Sequence, residues 1–184
     1  LLLSIKAELL ENRKVLESDL VYRRGVIASV TSLLGASSVG RYNDPEKTLD
    51  HCLADLLWTG GDQAGSTGAV ESLLLGGRVA SVEDETLRLA LVRWPKGVAA
   101  LSRIQNQDYV TFTEVMVPFL GRNAALPQLA NEQYAHGRPG DRWGANPDLR
   151  IPIRDLVDHT ALLHNREFAG ILVRRLWNET DVLS

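Results

Sequence analysis

The chain has 184 residues, of which 45% are apolar and 23% charged, with a formal net charge of −3. A length of this order suits one domain that buries a core without metals or disulfides. The balance of charge excludes the basic surplus of a nucleic-acid binder, and the lone Cys52 excludes an internal disulfide framework or a thiolate zinc site.

Residues 1–34 carry a helical period. Leu2, Ile5, Leu9, Leu16, Leu20, Ile27, Val30 and Leu34 recur at spacings of three, four and seven, with charges between them. The near-heptad spacing predicts lengthwise packing on another long helix, within the chain or in a homo-oligomer. Asn12 falls on this stripe, either as a polar position that fixes register or as a ligand contact. After a turn-rich stretch, Asp44-Pro45 predicts the N-cap and first position of a helix over 45–58, with Leu49, Leu53, Leu56 and Leu57 inward. Thr59-Gly60-Gly61 ends it. Cys52, within that helix, reads as a small buried hydrophobe.

A short helix, AVESLLL, closes on Gly76-Gly77, and Ser81-x-x-Asp84 resembles a capping box for a helix over 83–94. Pro95 predicts a kink or tight break before the period resumes from Val98 to Phe119. Residues 121–150 hold four Gly and three Pro among mixed polar residues, which predicts an irregular insertion with a small hairpin near 137–143. From Ile153 the helical period returns through Leu156, Leu163, Phe168, Ile171, Leu172 and Leu176. The expected fold is a single all-α domain over 1–184, a bundle of five or six helices. No apolar run approaches the ~20 residues of a membrane span. The opening LLLSIKAELL, without Met or a charged leader, reads as a piece of a longer polypeptide.

The loop GGDQAGST, residues 60–67, places Gly60, Gly65 and Thr67 on the P-loop grid, but Ser66 stands where that motif needs Lys. The helical segment before it is a stronger objection, because a P-loop follows a strand. What remains is a helix-to-helix connector whose backbone N–H groups offer an anion site. Ser66 with a histidine defines a hydrolase alternative, although the G-x-S-x-G elbow is absent. Asp155 and His159 stand four apart on the expected last helix, and there is neither His-x-x-x-His nor Glu-x-x-His. Trp143, in the loop HGRPGDRWGANP beside Arg138 and Arg142, is a candidate for ligand or partner contact. The binding candidates are therefore Ser66, Thr67, Arg78 and Trp143; no catalytic residue, metal ligand or cofactor is assigned.

The segments LLLSIKAELLENRKVLESDL, LADLLW, STGAVESLLLGGRVASVEDETLRLALVRWP and LLHNREFAGILVRRLW together resemble a group of bacterial proteins classed as a domain of unknown function. Members carry a short N-terminal membrane anchor and a helical extracytoplasmic part. The resemblance covers about two thirds of the chain; residues 121–150 have no counterpart in it. It implies an inner-membrane anchor before Leu1 and a periplasmic location; the function expected of the chain is that of a non-enzymatic domain that binds a partner or small ligand. It brings over no activity. Its recurring residues Asn12, Ser66, Thr67, Gly77, Arg78, Asn165, Arg166 and Glu167 fit fold determinants and a site equally well. Arg78, just past a Gly-Gly helix end, is expected to pair with Glu167 or Glu71.

Overall fold

A computed structural model describes residues 2–57, 65–136 and 151–183. Its α-helices are α1 (Leu2–Val39), α2 (Leu49–Asp55), α3 (Gly68–Leu75), α4 (Glu85–Thr111), α5 (Val117–Asn123), α6 (Leu126–His136) and α7 (Arg166–Leu183). No strand occurs among the described residues, so the chain is an all-α bundle. Two short 3₁₀ turns, Arg78–Ser81 and Thr160–His164, lead into α4 and α7.

The face that α1 buries is not the stripe of leucines. Ile5, Asn12, Asp19, Val26 and Leu33 repeat every seven residues and point inward, joined by Arg23, Ser29, Val30 and Ala36. Leu2 and Leu20 of the expected stripe are exposed, while Leu9, Leu16, Ile27 and Leu34 are half-buried. The heptad is real, but its phase is set by polar residues that find partners inside the bundle. Contacts fix the directions of the long helices. Ser37 of α1 donates to the Leu163 carbonyl and Arg23 pairs with Glu179, so α7 runs antiparallel to α1.

Three layers stack along this frame. Near the start of α1, Ile5, Val70, Leu73 and Leu91 form a small apolar cluster that joins α1, α3 and α4. Toward its end lies the main core, including Val30, Leu33, Leu53, Leu56, Phe119, Leu129, Phe168 and Leu172. Between them is an ionic layer in which every side chain is at least nine-tenths buried. Arg23 Nε donates to Asp19 at 2.7 Å and its Nη1 to Glu179 at 2.8 Å; Arg175 Nη1 donates to Asp108 at 2.6 Å and its Nη2 lies 2.7 Å from Glu179. Three carboxylates thus face two guanidinium groups. Burial raises the Glu179 carboxyl above the ordinary glutamate value, against the pull of Arg175 and Arg23.

Prolines shape the middle of the chain in two ways. α4 runs through Pro95 without a break, although the ring removes one backbone bond. Ahead of Pro118, by contrast, the helix widens into a π turn over Phe112–Met116 before α5. The ring of a helical proline collides with the carbonyl four residues earlier, here that of Glu114, and the wider turn relieves that collision.

Several local expectations are corrected. Asp44 does not cap a helix at Pro45: its Oδ1 accepts from the N–H groups of Glu46 and Lys47, and Thr48 is the cap of α2, accepting from His51 N. An aspartate side chain closes a turn on the next two residues as readily as it opens a helix. Asp84 is itself the N-cap of α4, bonded to Leu87 N, rather than the third position of a capping box at Ser81. The expected irregular stretch is helical over its first part, where α6 begins with Pro127 in its first turn, where its missing N–H costs nothing. The last helix starts later than Ile153, at Arg166, where Asn165 Oδ1 accepts from Glu167 and Phe168 N–H. Residues 151–159 form neither helix nor strand and bend at 154–155. The suggested hairpin at 137–143 lies outside the described residues.

Candidate functional site

The start of α3 settles what holds the connector Gly65-Ser66-Thr67. Asn12 of α1 reaches it with both ends of its amide, donating to the Ser66 carbonyl at 2.7 Å and accepting from Ser66 N–H at 2.8 Å. Beside it, Glu8 Oε2 accepts from Ala69 N at 2.8 Å and from the Ser66 hydroxyl at 3.0 Å, while Oε1 lies 3.3 Å from Val70 N. The anion expected at this helix start is therefore the protein's own carboxylate, held by free N–H groups and the helix dipole. Gly65 sits at φ +91°, which favours glycine, and a Cβ there would crowd the Asn12 side chain at 3.0 Å. Thr67 opens α3 without capping it and donates to Glu71 instead.

Ser66, held by Asn12 and Glu8, thus clasps α3 to α1. Replacing Asn12 with Ala is expected to lower stability by about 1–3 kcal/mol, because two backbone groups of Ser66 lose their partner. Urea unfolding reads the loss; an unchanged midpoint would mean that the clasp is idle. Gly60 through Ala64 lie outside the described residues, as does Trp143. Arg78 is exposed and pairs with neither Glu71 nor Glu167 among the described residues. Its expected bridge is replaced by the turn at Gly77, φ +66°, which carries the chain into the 3₁₀ helix with the arginine pointing outward.

The four histidines fall into different surroundings. His159 does not stand on a helix with Asp155. It is buried, its Nε2 accepts from Ala125 N–H at 3.0 Å, and its Nδ1 lies 2.7 Å from Asp50 Oδ1. An accepting Nε2 places the ring proton on Nδ1, which donates to Asp50. Gln128 extends the set, donating to Asp50 and the Val157 carbonyl and accepting from Val157 N–H. These bonds pin α2, α6 and the 151–159 segment together. Both ring nitrogens are used, so His159 offers no free ligand atom. His164 is exposed beside Gly40.

His51 and His136 come together. Their rings lie 4.7 Å apart, tilted by 39°, where α2 packs against α6. Glu132, one turn before His136, joins them, and one ligand-type atom from each of the three residues falls within 4.8 Å of the others. They line a cleft of about 220 Å³ that also receives Tyr22, Lys47 and Asp55. Lys47 Nζ donates to Asp55 at 2.8 Å and to Ser29 at 3.0 Å, and Asp55 Oδ2 is 3.8 Å from His51 Nε2. Burial holds the His51 imidazole below its ordinary value despite Asp55; Lys47 and His136 push the same way as burial. His51 is therefore neutral near pH 7, with a lone pair free.

Cys52, the next residue, is inert. Burial pushes its thiol up, and Tyr42 Oη lies 3.0 Å from Sγ.

The cleft is the strongest site on the described surface, and none of its residues was among the binding candidates Ser66, Thr67, Arg78 and Trp143. The signal lay in two i, i+4 pairs, His51 with Asp55 and Glu132 with His136, on helices far apart in the chain. Compared with protein-family models, with curated proteins and with solved structures, the chain finds no match in any of the three.

Proposed function

We propose that the chain is a non-enzymatic helical ectodomain of a single-span bacterial membrane protein, and that it binds a small ligand in the α2–α6 cleft. The convergence of His51, Glu132 and His136 on one opening carries the binding part of this reading. With Lys47, Asp55 and Tyr22 alongside, the cleft offers donors, acceptors and both signs of charge, as a polar ligand requires. Its volume of about 220 Å³ falls below the ~300 Å³ where drug-sized pockets begin, which favours an ion or a very small molecule.

The membrane part rests on the resemblance of four sequence segments. No helix among the described residues is long and apolar enough to cross a membrane, so the anchor in this reading precedes α1. The hydrolase alternative gains no support, since the Ser66 hydroxyl donates to Glu8 rather than to a histidine. The oligomer alternative keeps part of its surface, since Leu2 and Leu20 of the leucine stripe are exposed while Ile5 and Val30 are buried within the monomer.

Two experiments test the halves separately. A C-terminal alkaline-phosphatase fusion to the full gene product is expected to be active and to sediment with membranes; an active fusion confined to the soluble fraction would end the anchored reading. For the cleft, an NMR screen of small polar fragments is expected to shift the His51 and His136 imidazole signals ahead of those of His164. Hits that all map elsewhere would remove the cleft from consideration.

A further inference from the structure

We propose that the α2–α6 cleft is a metal site, binding one late first-row divalent cation of the zinc class through the imidazoles of His51 and His136 and the carboxylate of Glu132. This rests on reading the cleft as the binding site, and it names the ligand.

Zinc sits about 2.0–2.2 Å from imidazole nitrogen and carboxylate oxygen, so tetrahedral ligand atoms lie about 3.3 Å apart. The three donors already lie within 4.8 Å of one another, and His136 Nε2 is 3.4 Å from Glu132 Oε2. Closing the remaining gap needs side-chain rotation only. His136 and Glu132 are partly solvent-exposed on the last turns of α6, where their rotamers are free to move.

The helices behind the donors are already fixed. Asp50, adjacent to His51, is tied both to His159 and to Gln128, one turn before Glu132. A preformed spacing of this kind lowers the ordering cost of binding. Among the described residues that line the cleft Lys47 is the one Lys or Arg, and Asp55 offsets it at 2.8 Å. With that pair balanced, Glu132 leaves the donor set at −1.

Two imidazoles and one carboxylate suit zinc, cobalt, nickel or copper, whereas magnesium and calcium prefer all-oxygen shells. Three protein ligands leave a fourth position toward the cleft mouth for water or a second ligand. Asp55 stays outside the set, held by Lys47 and Ser29.

The test is calorimetric titration of the full, chelator-treated chain with zinc chloride. One equivalent is expected to bind, raising the melting temperature as free zinc rises, because the ion joins α2 to α6 in the folded state only. His51→Ala, His136→Ala and Glu132→Gln should each weaken binding at least as much as the roughly 10–100-fold that outer-shell changes cost. His164→Ala should leave it unchanged, and magnesium should not compete. Circular dichroism checks that each variant is folded. Should one unfold, cobalt substituted into the wild-type chain reads the nitrogen–oxygen ligand set from its visible absorption. Absence of zinc binding by the wild type, or undiminished binding by the His51→Ala/His136→Ala double variant, overturns the proposal. If zinc fails while fragments still shift His51 and His136, the metal assignment falls alone; if both fail, the cleft reading falls with it.

Discussion

Arg23→Met is expected to destabilise the protein by about 3–5 kcal/mol, the cost of removing one partner from a buried ion pair. Arg23 is fully buried, with Nε on Asp19 and Nη1 on Glu179. Taking it away leaves three buried carboxylates around Arg175 alone. Arg23→Lys should recover only part of the loss, since an ammonium cannot present two donors in the fixed fork that spans α1 and α7. Urea unfolding measures both, and a loss under about 1 kcal/mol, the range of surface pairs, would show that the layer is solvated. Replacing the whole layer with apolar residues of similar volume is a different experiment. Its cost is expected to be small or even negative, because the desolvation of five charges disappears with them.

The same layer gives the pH dependence its sign. Burial raises the folded-state value of Glu179 above that of the unfolded chain. The folded protein therefore holds this proton more tightly. The stability it contributes is complete below the ordinary glutamate value of about 4.3 and is lost as pH rises through the higher folded value. Glu179→Gln carries no such proton. The stability of the wild type relative to this variant should fall as pH is raised across that window; a difference that rises with pH would contradict the assignment.

Phe119→Ala is expected to cost a comparable ~3–5 kcal/mol, as large-to-small changes of buried aromatics do. Phe119 is fully buried on α5 and stacks on Phe168 of α7, with ring centroids 5.8 Å apart and planes within 6°. The π turn before Pro118 aims this ring into the main core, so its loss opens a cavity where α5 meets α7. For a chain of this size the melting temperature should fall by about 6–20 °C. Phe119→Leu, which keeps most of the volume, should cost much less. Equal effects from the two variants would mean that the site collapses freely and that the stacking matters little.

Much of the fold was legible in the sequence where apolar spacing and caps agreed. α1, α3 and α7 follow their periods, and Leu53, Leu56, Phe168 and Leu172 lie in the core as their spacing indicated. The phase of α1 was not legible, because Asp19 and Arg23 look like solvent-facing charges until Glu179 and Arg175 arrive from the other end of the chain. α6 was hidden because buried Gln128 interrupts its apolar face. Glu8 could not be chosen from several exposed-looking acids as the one that fills the anion site of α3.

The metal donors were obscured for a related reason. Each i, i+4 pair on its own is an ordinary helical surface pair, and only the packing of α2 on α6 brings His51 to Glu132 and His136. The loop at 60–67 drew attention because glycines mark both phosphate cradles and helix ends. Here Gly65 serves a helix start.

Anomalous diffraction at the zinc absorption edge, from crystals grown with equimolar zinc, tests the placement of the site most directly. The expected result is one strong peak within bonding distance of His51, Glu132 and His136, with none beside Ser66. A peak at another set of residues, or no peak between α2 and α6, would contradict the account.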